Sequence, residues 1–283
     1  MNTSSPTKPD ATLRVAVISS GRSGTSLLSR ILHEVLGIDF GPESEHLPRN
    51  HDNPDGYFEN LAFLEFNDRI LAAVGGSVIS PPPIDALESL PASQLNALVD
   101  EARALLTTYS AHRPYFGWKD PRLSLTLPIW ARAQPDLIPV IPFRDPRAVT
   151  LSIVDQVNIK EAHAMSMWVD YYQRIFRYTA AMPSLLVSFD ALLKTPLRVT
   201  QNLAAHLKCP FDLEEANQKL ASIIKPKQAR HSITQETAAT PLLDPRTETL
   251  FKYLTERYTL GLPPDHQTLA EIFALPPAGA AHL

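Results

Sequence analysis

The chain has a single cysteine, Cys209, among 283 residues. That excludes an intramolecular disulfide framework and sets the expectation of a reducing, cytoplasmic setting. No apolar run reaches the roughly 20 residues that cross a bilayer. Met1 to Ala11 is polar and proline-containing, with no apolar segment, so residues 1–11 read as a flexible N-terminal tail and not as a secretory leader. A basic surplus is also missing, since the net charge is −4. This argues against a nucleic-acid partner, which would call for a basic stripe. His46 and His51, near Asp52 and Asp55, are the one crowd of metal-type ligands, and their spacing fits no familiar pattern. No metal is therefore expected. Repeats and heptads are absent too.

What remains is a chain 44% apolar, enough for a sizeable core. Residues 12–283 read as one α/β domain, with prolines marking long surface loops. Everything is organised around Leu13 to Leu36. Leu13 to Ile18 is an apolar run that predicts a buried strand. Leu28, Ile31, Leu32, Val35 and Leu36 follow helical spacing. Between them lies Ser19-Ser20-Gly21-Arg22-Ser23-Gly24-Thr25-Ser26. A strand, a glycine turn and a helix in that order bring backbone N–H groups and the positive end of the helix dipole to one point, which suits an anion. Hydroxyls of Ser23, Thr25 and Ser26 and the charge of Arg22 add to it. An ordinary turn that binds nothing is the plain alternative. The ATP loop G-x-x-x-x-G-K-[ST] is not met, because Thr25 follows Gly24 where lysine is demanded.

Further strands are expected at Tyr115 to Trp118, Leu137 to Phe143 and Ser184 to Phe189. Helices are expected over Leu61–Val74, Leu95–Leu106, Glu161–Thr179, Thr195–Leu207, Asp212–Ile224, Pro245–Tyr258 and Thr268–Ala274. The pairs Asp120-Pro121, Asp145-Pro146 and Asp244-Pro245 read as helix starts, with the aspartate capping free N–H groups. Gly75 to Pro91 is a loop of a length that is usually functional or mobile. Strands alternating with helices predict a three-layer fold, a mainly parallel sheet flanked by helices, with its site beyond the carboxyl ends of the strands. Arg144 closes one of those strands, and Ser152 follows eight residues later, two turns into a helix. An arginine fork and a serine hydroxyl so arranged can hold a second phosphate, the plain alternative being a strand-end arginine paired with a carboxylate such as Asp145.

Arg22-Ser23-Gly24-Thr25-Ser26 resembles the 5′-phosphosulfate loop, approximately [KR]-S-G-T-[ST], of sulfotransferases that use 3′-phosphoadenosine 5′-phosphosulfate (PAPS). Arg144 with Ser152 resembles their 3′-phosphate site. The resemblance implies a P-loop-NTPase-like sulfotransferase fold, PAPS as donor and no metal. It makes Arg22, Ser23, Gly24, Thr25, Ser26, Arg144, Ser152 and, in the basic segment Lys225 to His231, Arg230 the nucleotide-binding residues. Lys119, at a strand end in Gly117-Trp118-Lys119-Asp120, resembles the family's lysine beside the transferred group, and Arg22 and Lys119 are the candidate cations of the transition state. The base is expected at Glu43, 21 residues after Arg22 as in tyrosyl-protein and trehalose sulfotransferases, with Glu59 and Glu45 as alternatives. The histidine that cytosolic enzymes carry after their lysine is absent here. Two other readings stand beside this one: a kinase using ATP and Mg²⁺ held by a carboxylate such as Asp190, and a non-catalytic nucleotide-binding protein. The acceptor is left open among small molecules, carbohydrates, lipids and peptides, and the oligomeric state is equally open. Tyr57, Phe58, Trp118, Trp168 and the Pro81 loop either line an aromatic pocket or belong to the core.

Overall fold

The computed structural model describes residues 12–49, 56–224, 242 and 244–275. The tail 1–11, His51, Asp52, Asp55 and the basic segment with Arg230 lie outside the described residues. Four parallel strands, β1 (Leu13–Val17), β2 (Tyr115–Lys119), β3 (Ile138–Phe143) and β4 (Leu185–Ser188), form one sheet in the order β2-β1-β3-β4. Their residues are mostly apolar because both faces are covered, as parallel sheets require. Side chains alternate between two cores. Ala16, Phe116, Trp118, Ile141 and Phe143 enter one, while Leu13, Val15, Val17, Val140 and Val187 enter the other.

The helices follow that division. α1 (Thr25–Glu34) packs on the second core. α2 (Leu61–Ala73), α3 (Ala92–Ser110), α4 (Leu123–Ala133), α5 (Pro146–Val157) and α6 (Glu161–Tyr178) cover the first. α7 (Phe189–Lys194), α8 (Pro196–Leu207) and α9 (Leu213–Ile223) return to the second, and α10 (Pro245–Leu260) and α11 (His266–Ala274) close the first. Each fully buried aliphatic or aromatic side chain in these cores stabilises the fold by about 1.5–3 kcal/mol. After α1 the chain runs alongside β2, where Asp39 bridges to Phe116 in parallel. A Cβ on Gly117 would lie 3.0 Å from Ile38 and 3.1 Å from Phe40, so glycine is what lets this segment approach the sheet. Among the described residues no helix is long and apolar enough to cross a membrane.

Two of the three Asp-Pro pairs start helices as the sequence suggests. Asp145 and Asp244 each cap with a side-chain oxygen, to Arg147 N and Arg246 N, and proline takes the first turn. Asp120 does accept the N–H of Arg122 at 2.9 Å, yet α4 begins only at Leu123, after a turn. The reason is that the Asp120 carboxylate is fully enclosed and shared, accepting also from Asn67 Nδ2 at 2.9 Å and from the Arg122 guanidinium at 3.0 Å.

Candidate active site

The parallel register brings the strand ends level. Val17 stands opposite both Lys119 and Val140, and Phe143 stands opposite Ser188. The turn after β1, Lys119 at the end of β2, Arg144 after β3 and Phe189 after β4 therefore emerge along one edge. All of them line a cavity of about 1190 Å³.

Buried hydroxyls fix the turn after β1. Ser19 Oγ donates to the carbonyl of Pro142 at 2.8 Å, and Ser124 Oγ donates to the carbonyl of Ser19 at 3.0 Å. Ser20 and Ser23 share a 2.9 Å hydroxyl contact, so Ser23, fully buried, braces the turn and is not in the cavity lining. Arg22 (φ 66°) and Gly24 (φ 88°) are left-handed, the kind of turn that gathers backbone N–H groups into an anion-binding concavity. Gly24 N-caps α1 without a side-chain cap bond, and Thr25 and Ser26 open that helix facing the cavity. A Cβ on Gly24 would fall 2.2 Å from the Phe189 ring, so Phe189 packs where only a bare backbone fits.

The two anion motifs meet. Arg22 Nε donates to Ser152 Oγ at 2.8 Å, across 130 residues of chain, and Arg144 Nη1 reaches the Arg22 carbonyl at 3.4 Å. The Arg144 guanidinium lies 4.6 Å over the Phe189 ring, a cation–π contact. Burial lowers its proton affinity, and Asp190 pulls the other way while the charge of Arg22 pushes with burial. Asp190 itself is exposed and outside the lining.

Beside them sits a buried ion pair, Lys119 with Glu59, both side chains under 7% exposed. Lys119 Nζ also approaches Ser26 Oγ at 3.3 Å. Burial lifts the Glu59 carboxyl from 4.5 to about 7, against the opposing pull of Lys119, and the nearby charge of Asp120 adds to the rise. Glu59 Oε2 has no hydrogen-bond partner among the described residues. Glu59 is put there by Phe58, whose φ of 61° turns the backbone and whose ring packs edge-on against Phe40. Leu47 N bonds the Glu59 carbonyl at 2.7 Å, and His46 bridges to Asn60, so the acidic segment folds back onto this strand-like stretch. Glu43 is not brought to the cavity: its side chain is 73% exposed and paired with Arg49. Glu45 is likewise exposed, within 3.3 Å of Asn60 Nδ2. Among the described lining residues the one carboxylate is Glu59.

Tyr57, Phe58 and Trp168 line the cavity, whereas Trp118 is packed in the core against Phe63, Phe116 and Trp130. The loop between α2 and α3 is docked along α6. Tyr171 Oη donates to Val78 O at 2.6 Å and Tyr178 Oη to Ile84 O at 2.8 Å, and the Arg174 guanidinium donates to Pro82 O. Sequence reading missed Phe189 and Asn67. Phe189 had a signal, a large aromatic directly after a strand, but nothing local ties it to Gly24. Asn67 gave none: it looks like any polar helix residue, yet it is buried, donating to Asp120 and accepting from Thr126 at 2.8 Å and Trp130 at 2.9 Å.

The family model described as the sulfotransferase family matches residues 14–213. Among solved structures, the sulfotransferase domain of the Synechococcus PCC 7002 olefin synthase is similar at 21% identity, covering 95% of this chain and 98% of that one, with a TM-score of 0.50. Sulfotransferase STF9 from Mycobacterium avium is similar at 13% identity, covering 90% and 78%, with a TM-score of 0.51. At such identities the likeness is one of fold. No curated protein matches significantly.

Proposed function

The chain belongs to the sulfotransferase family, and on that premise we propose that it moves a sulfuryl group from PAPS to a hydroxyl or amine of an acceptor held in the same cavity. The observation that carries the proposal is the 2.8 Å hydrogen bond from Arg22 to Ser152, through which the glycine turn and the arginine–serine couple meet. Two adjoining anion sites suit a nucleotide phosphorylated at both ends of its ribose. A nucleoside triphosphate needs one.

In this reading Thr25, Ser26, the N–H groups opening α1 and Arg22 hold the 5′ side, while Arg144 and Ser152 hold the 3′-phosphate. Arginine keeps its proton near neutral pH, so Arg22 acts by charge and hydrogen bonding. Lys119, beside Ser26, is the cation for the bridging oxygen, where negative charge grows as the S–O bond stretches. Glu59 takes the acceptor's proton as the new bond to sulfur forms. The old S–O bond breaks with its electron pair on the phosphate, and 3′-phosphoadenosine 5′-phosphate leaves. A carboxyl raised to about 7 is matched to proton transfer near neutral pH, which favours Glu59 over the exposed Glu43. An Mg²⁺-dependent kinase would want carboxylates for the ion, and Glu59 is engaged with Lys119. The buried Cys209 is in keeping with a reducing cytoplasm.

Calorimetric titration tests the assignment. Charge-assisted bonds to phosphate contribute about 1.5–3 kcal/mol, so Arg144→Ala weakens adenosine 3′,5′-bisphosphate by roughly 10–100-fold and leaves adenosine 5′-phosphate within a few-fold. Equal losses for the two nucleotides refute the two-site reading.

A further inference from the structure

The cavity has more room and a different character than a nucleotide alone calls for. Its volume of about 1190 Å³ exceeds the roughly 300–1,000 Å³ typical of a site enclosing one small ligand. Away from the phosphate loops and the Lys119–Glu59 pair, the wall is mostly apolar, with Leu64, Val78, Ile79, Val157, Met167 and Trp168, and its uncharged polar side chains are Gln156, Tyr57 and Tyr171. The charged side chains on this part of the described lining are already matched by the protein: Arg122 by Asp68 and Asp120, Arg30 by Glu34. Ile79 (40% exposed) and Val157 (37%) carry the apolar surface out to the mouth. The wall is also preformed, because Val78 and Ile79 belong to the docked loop, their carbonyls bonded by Tyr171 at 2.6 Å and His163 at 3.0 Å.

We propose that the acceptor is an uncharged hydrophobic alcohol, a hydroxyl on an aliphatic or aromatic body that lies against the Val78, Ile79, Met167 and Trp168 wall with its oxygen at Glu59. This rests on the reading of the site as a PAPS-dependent sulfotransferase and deepens it. A sugar would bring several hydroxyls to a surface with few groups to satisfy them, and each buried unmatched hydroxyl weakens binding. An acidic or basic peptide would find the nearby guanidiniums and carboxylates already paired. An alcohol with an apolar body leaves nothing polar buried except the reacting oxygen.

The test uses the intact chain and a series of straight 1-alkanols from butanol to decanol. Binding is measured by calorimetry on protein saturated with adenosine 3′,5′-bisphosphate, and transfer is measured from PAPS. Affinity and kcat/KM rise about three- to fourfold per added methylene until the chain reaches the mouth. Octanol is preferred over trehalose and over a tyrosine-containing acidic peptide by at least about tenfold. Ile79→Asp and Val157→Asp, at exposed positions where the fold tolerates a charge, each lower octanol affinity and kcat/KM about tenfold and leave the affinity for adenosine 3′,5′-bisphosphate unchanged. A flat dependence on chain length, a preference for trehalose or peptide, or aspartate variants that behave as wild type would each overturn the proposal while the donor reading stands. Failure of the wild-type protein to bind adenosine 3′,5′-bisphosphate at all overturns the donor reading and this proposal with it.

Discussion

Glu59→Gln separates a catalytic carboxylate from a structural one, because it is expected to lower activity and raise stability in the same pH range. Burial holds the folded carboxyl at about 7 against 4.5 when exposed. The folded protein thus keeps a proton that the unfolded chain gives up first. With the folded value raised, the stability due to this group is fully present below about pH 4.5 and is lost as pH rises through about 7. Each pH unit of displacement is worth about 1.36 kcal/mol, so the loss between pH 4.5 and 8 is about 3 kcal/mol. Glutamine mimics the protonated carboxyl in shape and does not titrate, and like that protonated form it leaves Lys119 without a counter-charge. The variant should match wild type near pH 4.5 and exceed it by about 3 kcal/mol at pH 8, as read by urea denaturation without nucleotide. Activity runs the other way. The base must be ionised, so wild-type kcat/KM climbs through an acid limb near pH 7 and levels above it. Glu59→Gln removes that limb and lowers kcat by about 10²–10⁴, while adenosine 3′,5′-bisphosphate binds as before. An acid limb that survives the substitution, or a variant no more stable than wild type at pH 8, refutes the reasoning.

Three further outcomes follow from the packing. Gly24→Ala puts a methyl 2.2 Å from the Phe189 ring at a φ of 88°, and should cost about 1–3 kcal/mol by thermal or urea unfolding and weaken adenosine 3′,5′-bisphosphate at least tenfold; a neutral variant contradicts the tight contact. Asn67→Leu keeps the shape but strips Trp130 Nε1 of its acceptor and Asp120 of a donor, so a loss of about 3 kcal/mol in urea is expected, against near-neutrality if that network is dispensable. Burial pushes the Cys209 thiol up to about 11, so an aromatic disulfide reagent at pH 8 should label it roughly a hundredfold more slowly in the native protein than in urea, and equal rates would contradict its burial.

Local signals in the sequence went far. The mostly apolar runs of β1, β2, β3 and β4 identify strands covered on both faces, and their ends carry Ser19, Lys119, Arg144 and Phe189. The glycine turn and the arginine that closes β3 are likewise visible, since each depends on residues a few positions apart. What stayed hidden depends on pairs far apart in the chain. Glu43, Glu45 and Glu59 look alike in an acidic segment, and what sets Glu59 apart is enclosure beside Lys119, 60 residues away. The hydrogen bond from Arg22 spans 130 residues, so the sequence can name both partners without saying that they touch. The fate of the Gly75 to Pro91 loop was open for the same reason: Arg174, Tyr171 and Tyr178 read as an ordinary helix face until the carbonyls they hold are known.

The geometry of this site depends on the fold's polar interior as well as on the lining itself. Asn67 joins Trp130 and Thr126 of α4 to the Asp120 carboxylate, and Asp120 in turn anchors Arg122. That chain of bonds keeps a second negative charge buried close to Glu59, which helps hold the Glu59 proton at a pH where an exposed carboxyl has lost it. A similar economy operates at the turn after β1, where Pro142, with no N–H to offer the sheet, spends its carbonyl on Ser19 and Tyr172 and so clamps the turn that presents Arg22. Both arrangements put buried polar groups next to the cavity and satisfy them from the core behind. In the proposed reaction Asn67 and Tyr172, which do not line the cavity, act as positioning residues behind Glu59 and Arg22.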